Sequence, residues 1–174
     1  MASYEKYSLS VGKADWVRMK ALNQICNPET INFLKQNILT GKTVADVGCG
    51  PGFMVAEWAK LVGKQGKIYA IDISEEQLAL AKDYLNYCDI DNVEYICIPV
   101  HELESLSLKV DVVYSRFTLE HVQDQENALK NMMSLLCNGG HLFCEALVCH
   151  ESLFCDPHSE AFQHWKEAIL YKRD

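Results

Sequence analysis

Residues 44–52 read Val-Ala-Asp-Val-Gly-Cys-Gly-Pro-Gly, and this stretch decides the fold. It begins as a short apolar run, which is typical of a buried strand. It then breaks into three glycines at alternate positions, where the backbone can turn sharply and a ligand can approach the main chain. A helical pattern follows, with apolar residues at i, i+3, i+4 and i+7: Val55, Trp58, Ala59 and Val62. Strand, glycine loop and helix in this order predict the start of a nucleotide-binding βαβ unit.

The spacing of the glycines distinguishes two kinds of nucleotide site. Dinucleotide folds use G-x-G-x-x-G, and Phe53 stands here where the third glycine would be. The pattern is instead G-x-G-x-G, preceded by Asp46. With its flanks, the stretch resembles motif I of the class I S-adenosylmethionine-dependent methyltransferases. A glycine turn that binds no ligand is the alternative, and the whole nonapeptide in a strand–loop–helix setting disfavours it.

The totals are those of one ordinary globular domain of 174 residues. The net charge of −8 argues against nucleic acid as a partner, because phosphate binding favours a basic surface. No apolar stretch approaches the roughly 20 residues of a membrane span. Residues 1–6 lack the apolar core of a signal peptide, so we expect a cytoplasmic protein. Its cysteines, among them Cys49, Cys97 and Cys144, are then expected to be reduced and buried.

Strands and helices alternate through residues 43–148, which predicts an α/β fold with a parallel, doubly wound sheet. The predicted strands are 43–47, 67–71, 93–98, 110–115 and 141–148. Two helices should precede them. The first covers about residues 14–25, and the second is capped by Asn27-Pro28 and ends at Gly41.

The C-terminal end of strand two carries a candidate ribose ligand. Asp72 comes 20 residues after Gly52, and a carboxylate there can accept both ribose hydroxyls. The alternative is an acid that only favours the helix dipole. That helix already has Ser74 as its N-cap, with Gln77 reaching back in a capping box, so we favour the ribose role. Ile73 is placed to press against an adenine face.

A second resemblance covers strand four. Residues 111–122 read Asp-Val-Val-Tyr-Ser-Arg-Phe-Thr-Leu-Glu-His-Val and look like motif IV of small-molecule methyltransferases. The Gly-Gly turn in residues 135–142 is also similar to the family, so the match covers roughly residues 40–148. It implies a Rossmann-like sheet of order 3-2-1-4-5, with the N-terminal helices (1–41) as a lid over a core of 42–148. The family's sheet has two further strands, so residues 149–174 are expected to be a truncated C-terminal helix.

The resemblance also assigns cofactor positions. It implies that Asp46 and the glycine loop (Gly48, Cys49, Gly50 and Gly52) line the methionine end, while Asp72 takes the ribose. The main chain of Ser115 and Arg116 is expected to meet the amino group. Ile98-Pro99-Val100-His101-Glu102 stands where the family usually has a small residue, an acid and an alanine. Adenine is therefore expected to lean on Val100 and His101, beside Ile73 and Gln77.

His121 and Glu120 are the candidate acid–base groups. A sulfonium methyl is already activated, so positioning alone can suffice, and we favour a packing role for His121. Near the C-terminus five cysteines and histidines cluster, of which four could in principle bind zinc: Cys149, His150, Cys155, His158 and His164. Their spacings match no common zinc module, so we expect no metal.

The sequence therefore predicts a single-domain methyltransferase that uses S-adenosyl-L-methionine, releases S-adenosyl-L-homocysteine and acts on a small-molecule acceptor by in-line transfer. Two alternatives stay open. One is a nicotinamide-dependent oxidoreductase, and the other is a cofactor-binding but inactive module. The apolar strand at 141–148 is expected to form an edge, through which a homodimer could pair.

Overall fold

The computed structural model describes residues 16–37, 39–146 and 159–164. Its centre is a parallel five-stranded sheet in the order β3-β2-β1-β4-β5, which confirms the predicted Rossmann-like fold. The strands are β1 (Thr43–Val47), β2 (Lys67–Asp72), β3 (Val93–Cys97), β4 (Val110–Arg116) and β5 (Leu136–Glu145). The strand order reverses between β1 and β4, and such a switch point is where ligands bind in open α/β sheets.

Four α-helices cover the two faces of the sheet: α1 (Trp16–Leu34), α2 (Phe53–Val62), α3 (Glu75–Tyr87) and α4 (Gln125–Ser134). Alternate residues of each strand point to opposite faces, so the sheet has two apolar cores. Trp58 of α2 lies in one core, with Val44 and Leu34. Met132 of α4 lies in the other, with Ala45 and Leu103. Both cores support the C-terminal ends of β1, β2 and β4, where the site described below lies.

The N-terminal segment differs from the prediction of two helices. A single helix, α1, runs from Trp16 to Leu34 with Pro28 inside it. Pro28 lacks an N–H, which normally weakens a helix interior. Asn27 does not cap a new helix, because its Oδ1 accepts a 2.8 Å hydrogen bond from Arg116 Nη2. The same nitrogen donates to Asn23 Oδ1 at 2.6 Å, so Arg116 binds both sides of one helical turn and offsets the loss at Pro28.

The edge strand also departs from the prediction. The helix before it, α4, ends at Ser134, and β5 begins at Leu136, well before the predicted strand start at residue 141. Leu136 pairs with Val110, and His141 pairs with Val112, so the intervening residues form a bulge in β5. Gly139, with φ +79°, lies in that bulge instead of ending a helix.

Smaller predictions have mixed outcomes. The segment after β3, where adenine-flanking residues are predicted, forms a 3₁₀ helix, Val100–Ser105. Of the three cysteines expected to be buried, Cys49 is buried, whereas Cys97 and Cys144 are exposed, because they lie on outward positions of edge strands. Residues 160–164 are helical, and the rest of the predicted C-terminal helix lies outside the described residues. No helix in the described ranges is long and apolar enough to cross a membrane. Pairing of β5 with a second copy stays a prediction.

Candidate functional site

The glycine loop between β1 and α2 is a tight cradle. Gly48, Gly50 and Gly52 have φ values of +75°, +53° and +79°, a region that side chains disfavour. A Cβ at Gly48 would overlap the hydroxyl of Thr118, and a Cβ at Gly52 would lie 3.0 Å from that of Ala81. The loop therefore requires glycine both for its backbone conformation and for its close neighbours.

The main-chain amides of the loop point inward, towards β2. The N–H groups of Gly48 and Cys49 both donate to the Ile71 carbonyl, at 2.8 and 3.0 Å. Gly50 N–H donates to Asp72 Oδ2 at 2.9 Å, and Gly52 N–H to the Cys49 carbonyl at 3.1 Å. The loop is thus held to the end of β2 before any ligand arrives, and these four amides are already used.

Asp72 fixes the loop from the neighbouring strand. Its Oδ1 accepts the Ser74 N–H at 2.9 Å, while Oδ2 holds Gly50. Ser74 is the N-cap of α3, as predicted, because its side chain accepts the Gln77 N–H at 3.3 Å. The predicted return bond from the Gln77 side chain is wrong, since Asp72 has taken the Ser74 N–H. Burial raises the pKa of Asp72, and the amide donors oppose that rise.

Asp46 is a buried carboxyl group at the switch point of the sheet. It is 2% exposed, and its Oδ2 has no hydrogen-bond partner among the described residues. Burial raises its pKa to about 7, the positive charge of Arg116 opposes the rise, and Asp72 adds to it. A buried oxygen without a donor is costly, so this carboxyl group fits a ligand that brings a positive charge.

The end of β4 lies next to Asp46. Asp46 pairs in register with Tyr114, so both side chains point to the α1 face of the sheet, together with Arg116 two residues on. The fully buried Ser115 points the other way and donates to the Val47 carbonyl at 2.9 Å. Phe117 follows with φ +54°, an unusual conformation for a large side chain that marks the turn out of the strand.

The residues predicted to flank adenine lie beyond β2 and β3. Ile73 is 43% exposed, and its carbonyl accepts a bond from the Cys97 thiol at 3.5 Å. Val100 is half-buried at the start of the 3₁₀ helix. His101 is exposed, with Nε2 3.6 Å from Glu102 Oε1. Ile73 is thus an exposed apolar side chain next to Asp72, the candidate ribose-binding residue, which is consistent with an adenine ring packing on it. The contacts of Ile73, Val100 and His101 with adenine stay predictions.

The candidate acid–base pair lies on a short 3₁₀ helix, Leu119–His121, after β4. The negative charge of Glu120 helps to raise the pKa of Cys144, after burial itself, which places this carboxylate on the β5 side of the site. A catalytic role for Glu120 or His121 stays a prediction. Within the described part of the chain there is no group of three possible metal ligands, and Cys149, His150, Cys155 and His158 lie outside it.

Sequence reasoning missed a polar cluster between α1 and the ends of β4 and β5. Glu145 of β5 accepts hydroxyl bonds from Tyr114, at 2.7 Å, and from Thr30, at 2.9 Å. Arg116 joins the cluster through Asn23 and Asn27. The i, i+4 spacing of Asn23 and Asn27 was the available signal, but it appears only if the helix is assumed to continue through Pro28.

The fold and the glycine loop together define a nucleoside-binding domain of the Rossmann-like class. A family model described as a methyltransferase domain matches residues 38–172. The chain belongs to this methyltransferase family, which confirms the resemblance to the class I S-adenosylmethionine-dependent enzymes and decides against the nicotinamide alternative.

Known relatives and structures agree with this assignment. A ubiquinone biosynthesis O-methyltransferase from Acinetobacter baumannii is 34% identical over 127 residues, which are 71% of this chain and 52% of that protein. The chain thus spans about half the length of the curated relatives it matches. The structure of a SAM-dependent methyltransferase from Aquifex aeolicus superposes with a TM-score of 0.62 at 25% identity, over 82% of this chain and 77% of that one. A structure from Methanococcus maripaludis shares the fold, with a TM-score of 0.65 at 17% identity over 100% of this chain and 76% of that one.

Proposed function

We propose that this chain binds S-adenosylmethionine across the ends of β1 and β2 and transfers its methyl group to a small-molecule acceptor. The observation that carries the proposal is Asp46. Its buried oxygen lacks a donor, and it lies beside a glycine loop that is already shaped for close approach. The amino group of the cofactor is a cation with three donors and would satisfy that oxygen.

The remaining contacts follow from the position of each residue. Asp72 keeps free lone pairs after binding two amides, so its carboxylate can also accept the ribose hydroxyls. Gly48 and Gly50 would let the cofactor lie against the main chain. Ile73 and Val100 would contact the adenine, with His101 at its edge. The main chain after Ser115 would lie near the amino group.

The glycine loop also argues against a dinucleotide. A pyrophosphate is bound by main-chain N–H groups that point out of such a loop. Here the amides of Gly48, Cys49, Gly50 and Gly52 are used within the protein. The nearby side chains, Asp46 and Asp72, are acids, which suit a nucleoside with hydroxyl and ammonium donors and disfavour phosphate.

Methyl transfer requires little acid–base catalysis by the protein. When bound, S-adenosylmethionine would supply an activated methyl group: the acceptor lone pair would bond to the methyl carbon, the carbon–sulfur electron pair would return to sulfur, and the proton of the methylated acceptor would be lost to bulk solvent on product release. The chain would bind and orient the two reactants and keep water from between them, which is the contribution of proximity. The name of the Acinetobacter relative supports an oxygen atom of a small molecule as the acceptor.

Calorimetry on the full chain tests the proposal, with S-adenosylhomocysteine and NAD as separate ligands. We expect the homocysteine nucleoside to bind and NAD not to bind. Binding of NAD with no binding of the nucleoside would refute the proposal. Turnover with a panel of phenols and amines then separates an enzyme from an inactive module, because a module would bind the nucleoside and methylate none of them.

A further inference from the structure

A cavity of about 600 Å³ lies between α1 and the edge of the sheet at β5. Its walls are largely apolar and include Phe33 from α1 and Phe143 from β5, whose rings meet edge to face at 5.7 Å. Its volume falls within the roughly 300–1,000 Å³ of pockets that hold small molecules. Aromatic walls of this kind suit a flat apolar body.

One end of the cavity is polar and firmly organised. The carboxylate of Glu145 accepts the Tyr114 hydroxyl at 2.7 Å and the Thr30 hydroxyl at 2.9 Å, so its orientation is fixed from two sides. The Thr30 hydroxyl lies 2.9 Å from both carboxylate oxygens, so with Tyr114 about three of the roughly four acceptor positions of an ionised carboxylate are used, which leaves capacity for one more donor. The lining also includes Glu29, and among the described residues that line the cavity there is no lysine, arginine or histidine. Arg116, the cation of the adjoining cluster, is not among these lining residues, and its guanidinium already donates to Asn23, Asn27 and Thr30. With two carboxylates in the lining, an anion is therefore disfavoured, and a neutral donor is favoured.

The cavity adjoins the proposed cofactor site. Tyr114 lines the cavity and pairs in register with Asp46, while Arg116 pairs with Glu145. The side chains of paired residues share one face of the sheet, so all four lie on the α1 side. Only β4 separates β1 from β5, and Glu145 lies two residues further along its strand than the position opposite Asp46. At ~4.8 Å per strand and ~3.3 Å per residue, the Cα atoms of Asp46 and Glu145 are therefore roughly 12 Å apart. A molecule seated beside Glu145 can extend one end towards Asp46.

We propose that this cavity holds the methyl acceptor, and that Glu145 binds a hydroxyl or neutral N–H of that acceptor. The inference rests on the proposed function and adds a substrate class, a neutral and mainly apolar compound with a flat ring and a hydrogen-bond donor. Glu145 acts here as an anchor that sets specificity, and it takes no part in bond making. Tyr114 and Thr30 hold its carboxylate in place.

The test uses the full chain saturated with S-adenosylhomocysteine and two probes, 4-propylphenol and 4-propylbenzoate. We expect the phenol to bind and the benzoate to bind much more weakly. Glu145→Gln should weaken the binding of the phenol by about fivefold or more, because a hydrogen bond to a charged acceptor becomes one to a neutral acceptor. The same change should strengthen the binding of the benzoate. A general loss of structure would weaken both probes, so the opposite shifts identify the anchor.

A second variant keeps the test decisive if Glu145→Gln does not fold. Cys26→Leu enlarges a side chain that lines the cavity and should weaken the binding of both probes, leaving the affinity for S-adenosylhomocysteine within about a factor of two. An unchanged phenol affinity in Cys26→Leu, or equal binding of phenol and benzoate, would overturn the inference while the cofactor still binds. Failure of the nucleoside itself to bind would instead overturn the proposed function.

Discussion

Asp46→Asn should make the unliganded protein more stable and should lower its affinity for the cofactor. Folding buries a carboxyl group that stays ionised in the unfolded chain above pH 3.8, and burial raises its pKa to about 7. Because the pKa of Asp46 is higher in the folded than in the unfolded chain, its contribution to the free energy of unfolding is fully present below pH 3.8. This contribution is lost as the pH rises through about 7. Asparagine does not titrate, so the variant should not show this loss.

The magnitude follows from the pKa shift. Three pKa units at about 1.4 kcal/mol each correspond to roughly 4 kcal/mol, most of which should be lost by wild type between pH 4 and pH 8. The stability of Asp46→Asn relative to wild type should therefore rise by about 3 kcal/mol over that range. In thermal unfolding this is a relative gain of roughly 6–12 °C for a chain of this size.

Cofactor binding should move in the opposite direction. At pH 8 the ionised carboxylate of Asp46 would bind the amino group of S-adenosylhomocysteine, and its loss should weaken binding by roughly 10–150-fold. About a tenth of Asp46 is ionised at pH 6 and about nine tenths at pH 8, so the ratio of the two affinities should change nearly tenfold. Taking the ratio removes the titration of the ligand itself.

Asp111→Asn is the matched control, because Asp111 lies at the opposite end of β4. It binds the N–H and hydroxyl of Thr43 and the ammonium of Lys42, and these bonds lower its pKa to about 2. Its stabilising effect is therefore present above pH 3.8 and is lost as the pH falls through about 2. The control variant should be less stable at neutral pH and should bind the nucleoside like wild type. Equal pH profiles for wild type and Asp46→Asn, or unchanged affinity in that variant, would refute the reasoning.

Three further predictions concern the same site. Gly48→Ala should cost clearly more stability than Gly41→Ala in urea unfolding: both glycines have φ near +75°, where a side chain costs about 1–2 kcal/mol, but only Gly48 would also overlap Thr118. Equal losses would contradict the cradle described above. Asp72→Ala should lower stability by about 1–3 kcal/mol, since two amides lose their acceptor, and should weaken the nucleoside roughly 10–150-fold by calorimetry; an unchanged affinity would remove Asp72 from the ribose. His121→Ala should slow methyl transfer by less than the ~10²–10⁴-fold expected for a lost general base, and a loss in that range with intact cofactor binding would make His121 the base.

The central part of the fold could be predicted because its signals are local. The strands β1 to β4 are short apolar runs bounded by glycine or polar residues, and β1 was predicted at its observed bounds. The glycine loop and Asp72 follow from a spacing that one stretch of chain contains. Of the two bonds predicted for the cap of α3, the one from the Gln77 N–H to Ser74 forms. The return bond to the Ser74 N–H does not, because Asp72, two residues earlier, accepts that N–H.

The parts that escaped prediction depend on distant residues. Thr30 and Glu145 are 115 positions apart, and nothing in either neighbourhood indicates that they meet. The helix through Pro28 is favourable only once Arg116 binds Asn27, 89 positions away. The bulge of β5 likewise arises from pairing with β4, so the sequence alone places the start of this strand only at residue 141.

The helix α1 and the glycine loop are attached in different ways, and this affects which substitutions each can accept during evolution. Several apolar residues on this helix are exposed, Val17 and Ile25 at 77% and 75%. The helix is attached by polar bonds to the ends of β4 and β5 as well as by apolar contacts of Trp16 and Leu34. The glycine loop, in contrast, is held to the end of β2 by main-chain bonds to Ile71 and by the Asp72 side chain. Substitutions on the β5 side of α1 are therefore expected to reshape the neighbouring cavity while the bonds that hold the glycine loop to β2 stay in place.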